Sequence, residues 1–243
     1  MFILSVSTCL ATDPCLSSPC INGRTCEKAS GTNGFRCRCK VGFQGLSCEK
    51  ECEQKSLDIL LIEDVSTSIG EENYKKIKDF EVELVSASHI VSETVNVALM
   101  TFAGKAKLVF PLKSYRDNKT AAVQAVSVPQ NEGGSTFLGD AINMAVSDVF
   151  VESNGDRPDA ENVVILFTDG QSGKSSVISK NIESLHAEAT VFVVLMTAGV
   201  NNATISMVPS PPYKDHVFLL SNPLALDKIK EKTIYERCGL TMI

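Results

Sequence analysis

Asp64, Ser66 and Ser68 alternate along the stretch Asp58–Gly70, which reads DILLIEDVSTSIG. One carboxylate and two hydroxyls at that spacing make a compact, oxygen-rich cup, and such a donor set suits a hard divalent cation. Asp-x-Ser-x-Ser is also a common loop pattern whose side chains do no more than bond their own backbone. The motif therefore becomes a site only if other segments deliver further ligands. Two can. Asn162–Thr168 (NVVILFT) is an apolar run followed by Asp169-Gly170, and Gly133-Gly134-Ser135-Thr136 is a flexible hydroxyl-bearing loop just before an amphipathic segment.

The elements that must position these residues follow from periodicity. Ile59–Ile62 is a short apolar run ending in turn-forming residues, the pattern of a strand buried on both faces. Ile77, Phe80, Leu84 and Val91 recur at helical spacing behind Gly70. Val95–Phe102 and Lys107–Leu112 read as strands. Leu138, Ala141, Ile142, Ala145 and Val149 form the stripe of a second helix, and Ile178, Ile182, Leu185 and Ala189 that of a third. Thr190–Thr197 and His216–Leu220 read as strands, and Asn222-Pro223 caps and opens a last helix carrying Leu226 and Ile229. Repeated βα alternation predicts an α/β fold with a doubly wound, mostly parallel central sheet and helices on both faces. In such sheets ligands bind outside the carboxyl ends of the strands, where Asp64 and Asp169 both emerge. Glu63 is the misfit. It points to the opposite face from Asp64, and if buried it needs a Lys or Arg partner or a proton.

This set of residues resembles the von Willebrand factor type A domain over residues 52–238. The resemblance implies a metal-ion-dependent adhesion site at Asp64, Ser66, Ser68, Thr136 and Asp169. Thr136 is preferred to Ser135 because it lies six positions before Ile142, the usual spacing in that family. Phe110-Pro111-Leu112-Lys113-Ser114-Tyr115, Arg157-Pro158 and Phe167-Thr168-Asp169-Gly170 are most similar to the matrilins and their extracellular-matrix relatives. By that resemblance Ser66 and Ser68 coordinate directly, Thr136 directly or through water, and Asp64 and Asp169 largely through bound water. The ion expected is Mg²⁺, with Mn²⁺ or Ca²⁺ as substitutes.

Cysteine use sets the compartment. Eight of the nine cysteines fall in residues 1–52, and Cys238 stands alone. Residues 13–49 have almost no apolar core, so this density reads as a disulfide scaffold made in an oxidising compartment. Cys37-Arg38-Cys39 is too closely spaced for a zinc site, and no His lies near. Six cysteines allow 15 pairings. Residues 13–49 resemble an epidermal-growth-factor-like (EGF-like) module, which implies Cys15–Cys26, Cys20–Cys37 and Cys39–Cys48. It also implies O-glycan acceptors at Ser17 and Thr25. Flanking cysteines pair in the matrix relatives, which implies Cys52–Cys238, with an interchain bond at Cys238 as the alternative. Asn118 and Asn202 head N-glycosylation sequons. Met1–Ala11 reads either as the end of a clipped signal peptide, which would take Cys9 with it, or as the start of a fragment.

The net charge of −6 is uneven, +3 over residues 1–50 and −9 over the rest. No basic stripe suggests nucleic acid, and no apolar run is long enough to span a bilayer. No nucleophile–base pair is apparent, so an enzyme is not expected. The chain reads as a secreted matrix or adhesion protein. The partner expected is a matrix or cell-surface protein offering an Asp or Glu to the metal. The alternative is a structural spacer whose contacts ignore the metal. An oligomer through parts not in this chain is a further option, beside the interchain bond at Cys238.

Overall fold

The computed structural model describes residues 13–28, 34–39, 43–51, 56–88, 94–130, 133–171, 175–197, 205–222, 224–230 and 232–233. Met1–Ala11, Cys9, Cys52, Val91, Asn202, Pro223 and Cys238 lie outside them, and so does the expected Cys52–Cys238 bond. The chain divides into two units, one containing residues 1–54 and one spanning 55–234.

The first unit holds two small antiparallel sheets: β1 (Gly23–Lys28) with β2 (Phe35–Cys39), and β3 (Phe43–Gln44) with β4 (Lys50–Glu51). Disulfides join Cys15 to Cys26, Cys20 to Cys37 and Cys39 to Cys48. Cys48 is its one fully buried apolar residue among those described. The covalent links thus replace the core that so short a chain cannot build. Ser17 is exposed in a 3₁₀ turn, and Thr25 is exposed on β1.

The second unit is built on a six-stranded sheet. Its strands are β5 (Leu57–Asp64), β6 (Val95–Phe102), β7 (Ala106–Phe110), β8 (Glu161–Thr168), β9 (Ala189–Leu195) and β10 (Val217–Leu219), in the order β10-β9-β8-β5-β6-β7. Every pairing is parallel except β6 with β7. All eight residues of β5 and of β6 are buried, as expected of strands covered on both faces. The helices are α1 (Gly70–Ala87), α2 (Lys119–Ser127), α3 (Leu138–Met144, continued as a π turn to Val149), α4 (Ser175–Glu188), α5 (Tyr213–His216) and α6 (Ala225–Lys230). Leu60 and Ile62 of β5 join one core with Leu138, Ile142 and Leu185, so α3 and α4 cover that face. The opposite face meets α1, where Phe80 packs edge-on against Phe167 of β8, ring centroids 5.4 Å apart.

Three elements depart from the sequence expectations. Ala189 opens β9, where it pairs with Asn162, instead of closing α4. His216 ends the short α5, so the following strand starts at Val217. Helix α2 was not expected. Its cap is Asn118, whose Oδ1 accepts from Ala121 N at 3.0 Å.

The two buried acids of β5 that lie outside the crevice, Asp58 and Glu63, are paired with cations. Asp58, at the start of β5, accepts from Arg157 Nη2 at 2.6 Å, Nε at 3.0 Å and backbone N at 3.1 Å. The same guanidinium donates to Leu57 O at 2.9 Å. Glu63, at the far end of the strand, is fully buried against α1. Lys78 Nζ donates to Glu63 Oε1, and also to Glu81 Oε2 at 3.0 Å. Tyr74 Oη donates to Glu63 Oε2 at 2.6 Å. Glu81 Oε1 has no partner. Burial, reinforced by the charge of Glu63, pushes the Glu81 carboxyl well above its ordinary value. Burial alone would lower Lys78, but the carboxyls of Glu81 and Glu63 outweigh it and hold the ammonium charged. One ammonium cannot balance two buried carboxylates, and a proton kept on Glu81 removes the excess.

Asp58→Ala removes the buried carboxylate that accepts three hydrogen bonds from Arg157, so we expect a loss of about 3 kcal/mol in urea unfolding. Glu81 binds its proton more tightly folded than unfolded, where its ordinary value is 4.5. Its contribution to stability is complete below that pH and is lost as pH rises toward the folded value. Glu81→Gln, which mimics the neutral acid, is therefore expected to be more stable than the wild type at pH 7. Urea unfolding at pH 4 should show the gain nearly gone.

Candidate metal centre

β5 and β8 are neighbours, and the chain leaves β5 toward β6 on its other side. The crevice outside their carboxyl ends is thus a topological switch point of the sheet. Asp64 is the last residue of β5, and Asp169 follows Thr168, the last residue of β8. The parallel register aligns Glu63 with Phe167, which puts both aspartates at one edge.

The loop after β5 folds back on Asp64. Its Oδ1 accepts from Ser66 N at 3.0 Å, an Asx turn that brings the next hydroxyl-bearing residue under the carboxylate. Ser66 Oγ and Ser68 Oγ are 3.1 Å apart. Asp64 Oδ2 accepts from Thr168 Oγ1 at 2.8 Å, and Thr168 Oγ1 in turn accepts from Gly170 N at 3.1 Å. Asp169 Oδ1 accepts from Gln171 N at 2.9 Å. Its Oδ2 is buried and has no partner.

The segment that carries Thr136 is held by bonds on either side of that residue. Gly133 N donates to Val65 O at 3.1 Å, and Phe137 N donates to Ala103 O at 3.0 Å. Between them Gly134 N donates to Thr67 Oγ1 at 3.1 Å. Gly133 and Gly134 have φ of +64° and +105°, values that an L side chain rarely adopts. A Cβ on Gly133 would also meet Thr67 Oγ1 at 3.4 Å. The two glycines therefore let the segment turn tightly against the Asp64–Ser68 loop.

Sequence reasoning missed two residues here. Thr168 links the two aspartate segments, and Thr67 anchors the Thr136 segment. The hydroxyl between Ser66 and Ser68 and the Thr before Asp169-Gly170 were the available signals, but both were read as part of a turn or a strand. The strand ends thus bring the carboxylates of Asp64 and Asp169 together with the hydroxyls of Ser66, Ser68 and Thr168. Among the described residues no group of three or more His, Cys, Asp or Glu forms a metal site.

The electrostatics favour a cation. Asp64 is fully buried, and that burial, together with the charge of Asp169, pushes its carboxyl up against the hydrogen bonds from Ser66 and Thr168 that pull it down. A divalent ion would relieve the repulsion and give the orphan oxygen of Asp169 a partner, directly or through water. The donor set is all oxygen, neutral where direct coordination is expected, and fits Mg²⁺ or a similar hard ion. A cavity of about 990 Å³ opens beside the centre, lined by Ser66, Ile69, Tyr74, Lys78, Pro129 and Gly133 among others.

The chain matches the von Willebrand factor type A domain family over residues 58–232 and the EGF-like domain family over residues 15–47. It is 31% identical over 193 residues to matrilin-3 of Gallus gallus, covering 76% of this chain and 41% of that protein. To matrilin-2 of Mus musculus it is 30% identical over 177 residues, 72% of this chain and 18% of that one. It therefore spans less than half the length of these relatives. Among solved structures it is similar to proximal thread matrix protein 1 from the mussel byssus, with zinc occupying that protein's MIDAS motif. That match has a TM-score of 0.63 and 26% identity, covering 79% of this chain and 49% of that one. Manganese-loaded TRAP protein of Plasmodium vivax shares the fold, with a TM-score of 0.63 at 20% identity. The chain belongs to the von Willebrand factor type A domain family, as a matrilin-like extracellular-matrix protein with an EGF-like module before its type A domain.

Proposed function

We propose that the type A domain binds a matrix or cell-surface protein through a divalent ion held by Asp64, Ser66, Ser68, Thr136 and Asp169. The observation that carries this is the buried, unpartnered Oδ2 of Asp169 at the edge it shares with Asp64. A buried carboxylate oxygen without a partner is costly unless something outside the chain completes it. The metal loading named for the mussel and Plasmodium proteins supports the same reading.

Each residue has a part in this reading. Ser66 and Ser68 present hydroxyl oxygens, and their 3.1 Å separation lets both face one ion. Thr168 holds Asp64 in place, and Thr67 holds the loop that brings Thr136. The ion, when bound, supplies an open coordination position that accepts a carboxylate oxygen. Because the direct ligands are neutral, little of its charge is cancelled before the partner arrives. The neighbouring cavity receives the side chains that flank the partner's Asp or Glu. This is recognition chemistry, and the hydroxyls and carboxylates of the crevice are all committed to it rather than to catalysis.

Binding to a matrix extract on a solid phase should fall at least tenfold with EDTA, return with Mg²⁺ or Mn²⁺, and be lost in Asp64→Ala. Binding that survives both treatments would make the domain a metal-independent spacer instead.

Asn118 is proposed to carry an N-glycan. Its Oδ1 is taken by the helix cap while the side chain remains exposed. Asn118→Asp keeps an acceptor for the cap and removes the amide nitrogen. Protein secreted from animal cells should then lose the mass of one N-glycan in a gel or mass spectrum.

A further inference from the structure

The geometry points to Tyr74 as a positioning residue of the metal centre, tying the loop that delivers Thr136 to the buried charge network under β5. Resting on the metal reading above, it extends the site to a helix side chain that the five-residue motif does not include.

Among the described residues, four bonds fasten the segment between α2 and α3 to other elements. Three lie at the site itself: Gly133 to Val65, Gly134 to Thr67, and Phe137 to Ala103. The fourth is upstream, at the start of the loop, and reaches α1. Gln130 N donates to Tyr74 Oη at 2.7 Å, and Tyr74 Oη donates to Glu63 Oε2 at 2.6 Å. Glu63 immediately precedes Asp64 on β5. One phenol oxygen therefore connects the start of the Thr136 loop with the residue before the first metal ligand.

The phenol suits this post. It is buried, and burial with the adjacent Glu63 pushes its ionisation far up, so it stays a donor toward the carboxylate and an acceptor toward the amide. Lys78 pins the other oxygen of Glu63, and its ammonium lies 5.7 Å from the centre of the Tyr74 ring. The clamp is thus anchored on both sides of the carboxylate, and the ring is braced on α1. Val128 and Pro129, the residues just before Gln130, are exposed, so the hydroxyl bond supplies a fixed point where side-chain packing does not.

Rigid placement of Thr136 matters because a small, hard ion tolerates little error in ligand position, and groups that orient ligands influence affinity nearly as strongly as the ligands do. Tyr74→Phe deletes only the hydroxyl. Linkage then requires the converse effect: an ion that binds the ordered loop must strengthen the Gln130 bond.

The test uses the full chain. Titration of wild type and Tyr74→Phe with Mg²⁺ by calorimetry should show affinity about tenfold weaker in the variant. Amide hydrogen exchange should show Gln130 protected in the metal-free wild type, more protected with Mg²⁺, and fast in the variant. Equal Mg²⁺ affinity in the two proteins, with only the metal-free stability reduced, would make Tyr74 an ordinary core hydrogen bond and overturn the proposal. An unprotected Gln130 amide in wild type would overturn it without any variant. Wild type that binds no Mg²⁺ would remove the metal centre itself, and this proposal with it.

Discussion

A strand buried along its whole length ends here in two adjacent carboxylates, and the cost of burying them governs what surrounds it. Glu63 and Asp64 are both fully buried and face opposite sides of the sheet. On the α1 side, Glu63 is met by an ammonium and a phenol, and a neighbouring acid keeps its proton. On the crevice side, Asp64 receives only neutral donors, from Ser66 and Thr168, while a second aspartate stands beside it. One face is neutralised from within the protein. The other is left in need of positive charge from outside.

That asymmetry is also why the loops are built as they are. The internal solution requires Lys78, two turns into α1, to reach back to β5, and so fixes the helix on the sheet. On the crevice side, the segment before α3 has to be held against the loops after β5 and β6. Its amides do that work, donating from Gly133 to Val65 O, from Gly134 to Thr67 Oγ1, and from Phe137 to Ala103 O. The two glycines matter because only residues tolerant of positive φ can bring the third segment so close.

Much of this was legible in the chain. Strands covered on both faces announce themselves as continuous apolar runs, so β5, β6, β8 and β9 were read nearly as they stand. The two aspartates followed, because each ends such a run. Glu63 was recognisable as a misfit, yet its partners were not, since a helix residue fifteen positions away carries no mark of where it will point. Thr67 and Thr168 were hidden for a related reason. Their hydroxyls act on other segments, and a hydroxyl in a turn looks the same whether it bonds its own loop or a distant one. Ala189 was misplaced because small apolar residues fit a helical stripe and a strand equally well, and here the ladder with Asn162 decided it. The cap at Asn118 was overshadowed by the sequon that begins at the same residue.

The two outermost strands carry a consequence for a protein of the extracellular matrix. β10 is three residues long, and β7 is five residues with Lys107 exposed on it and Lys105 exposed just before it. Unpaired strand edges invite other chains to add on, and short length and lysine are what discourage it. Over the described residues, both edges of this sheet are therefore poor templates for the addition of another chain.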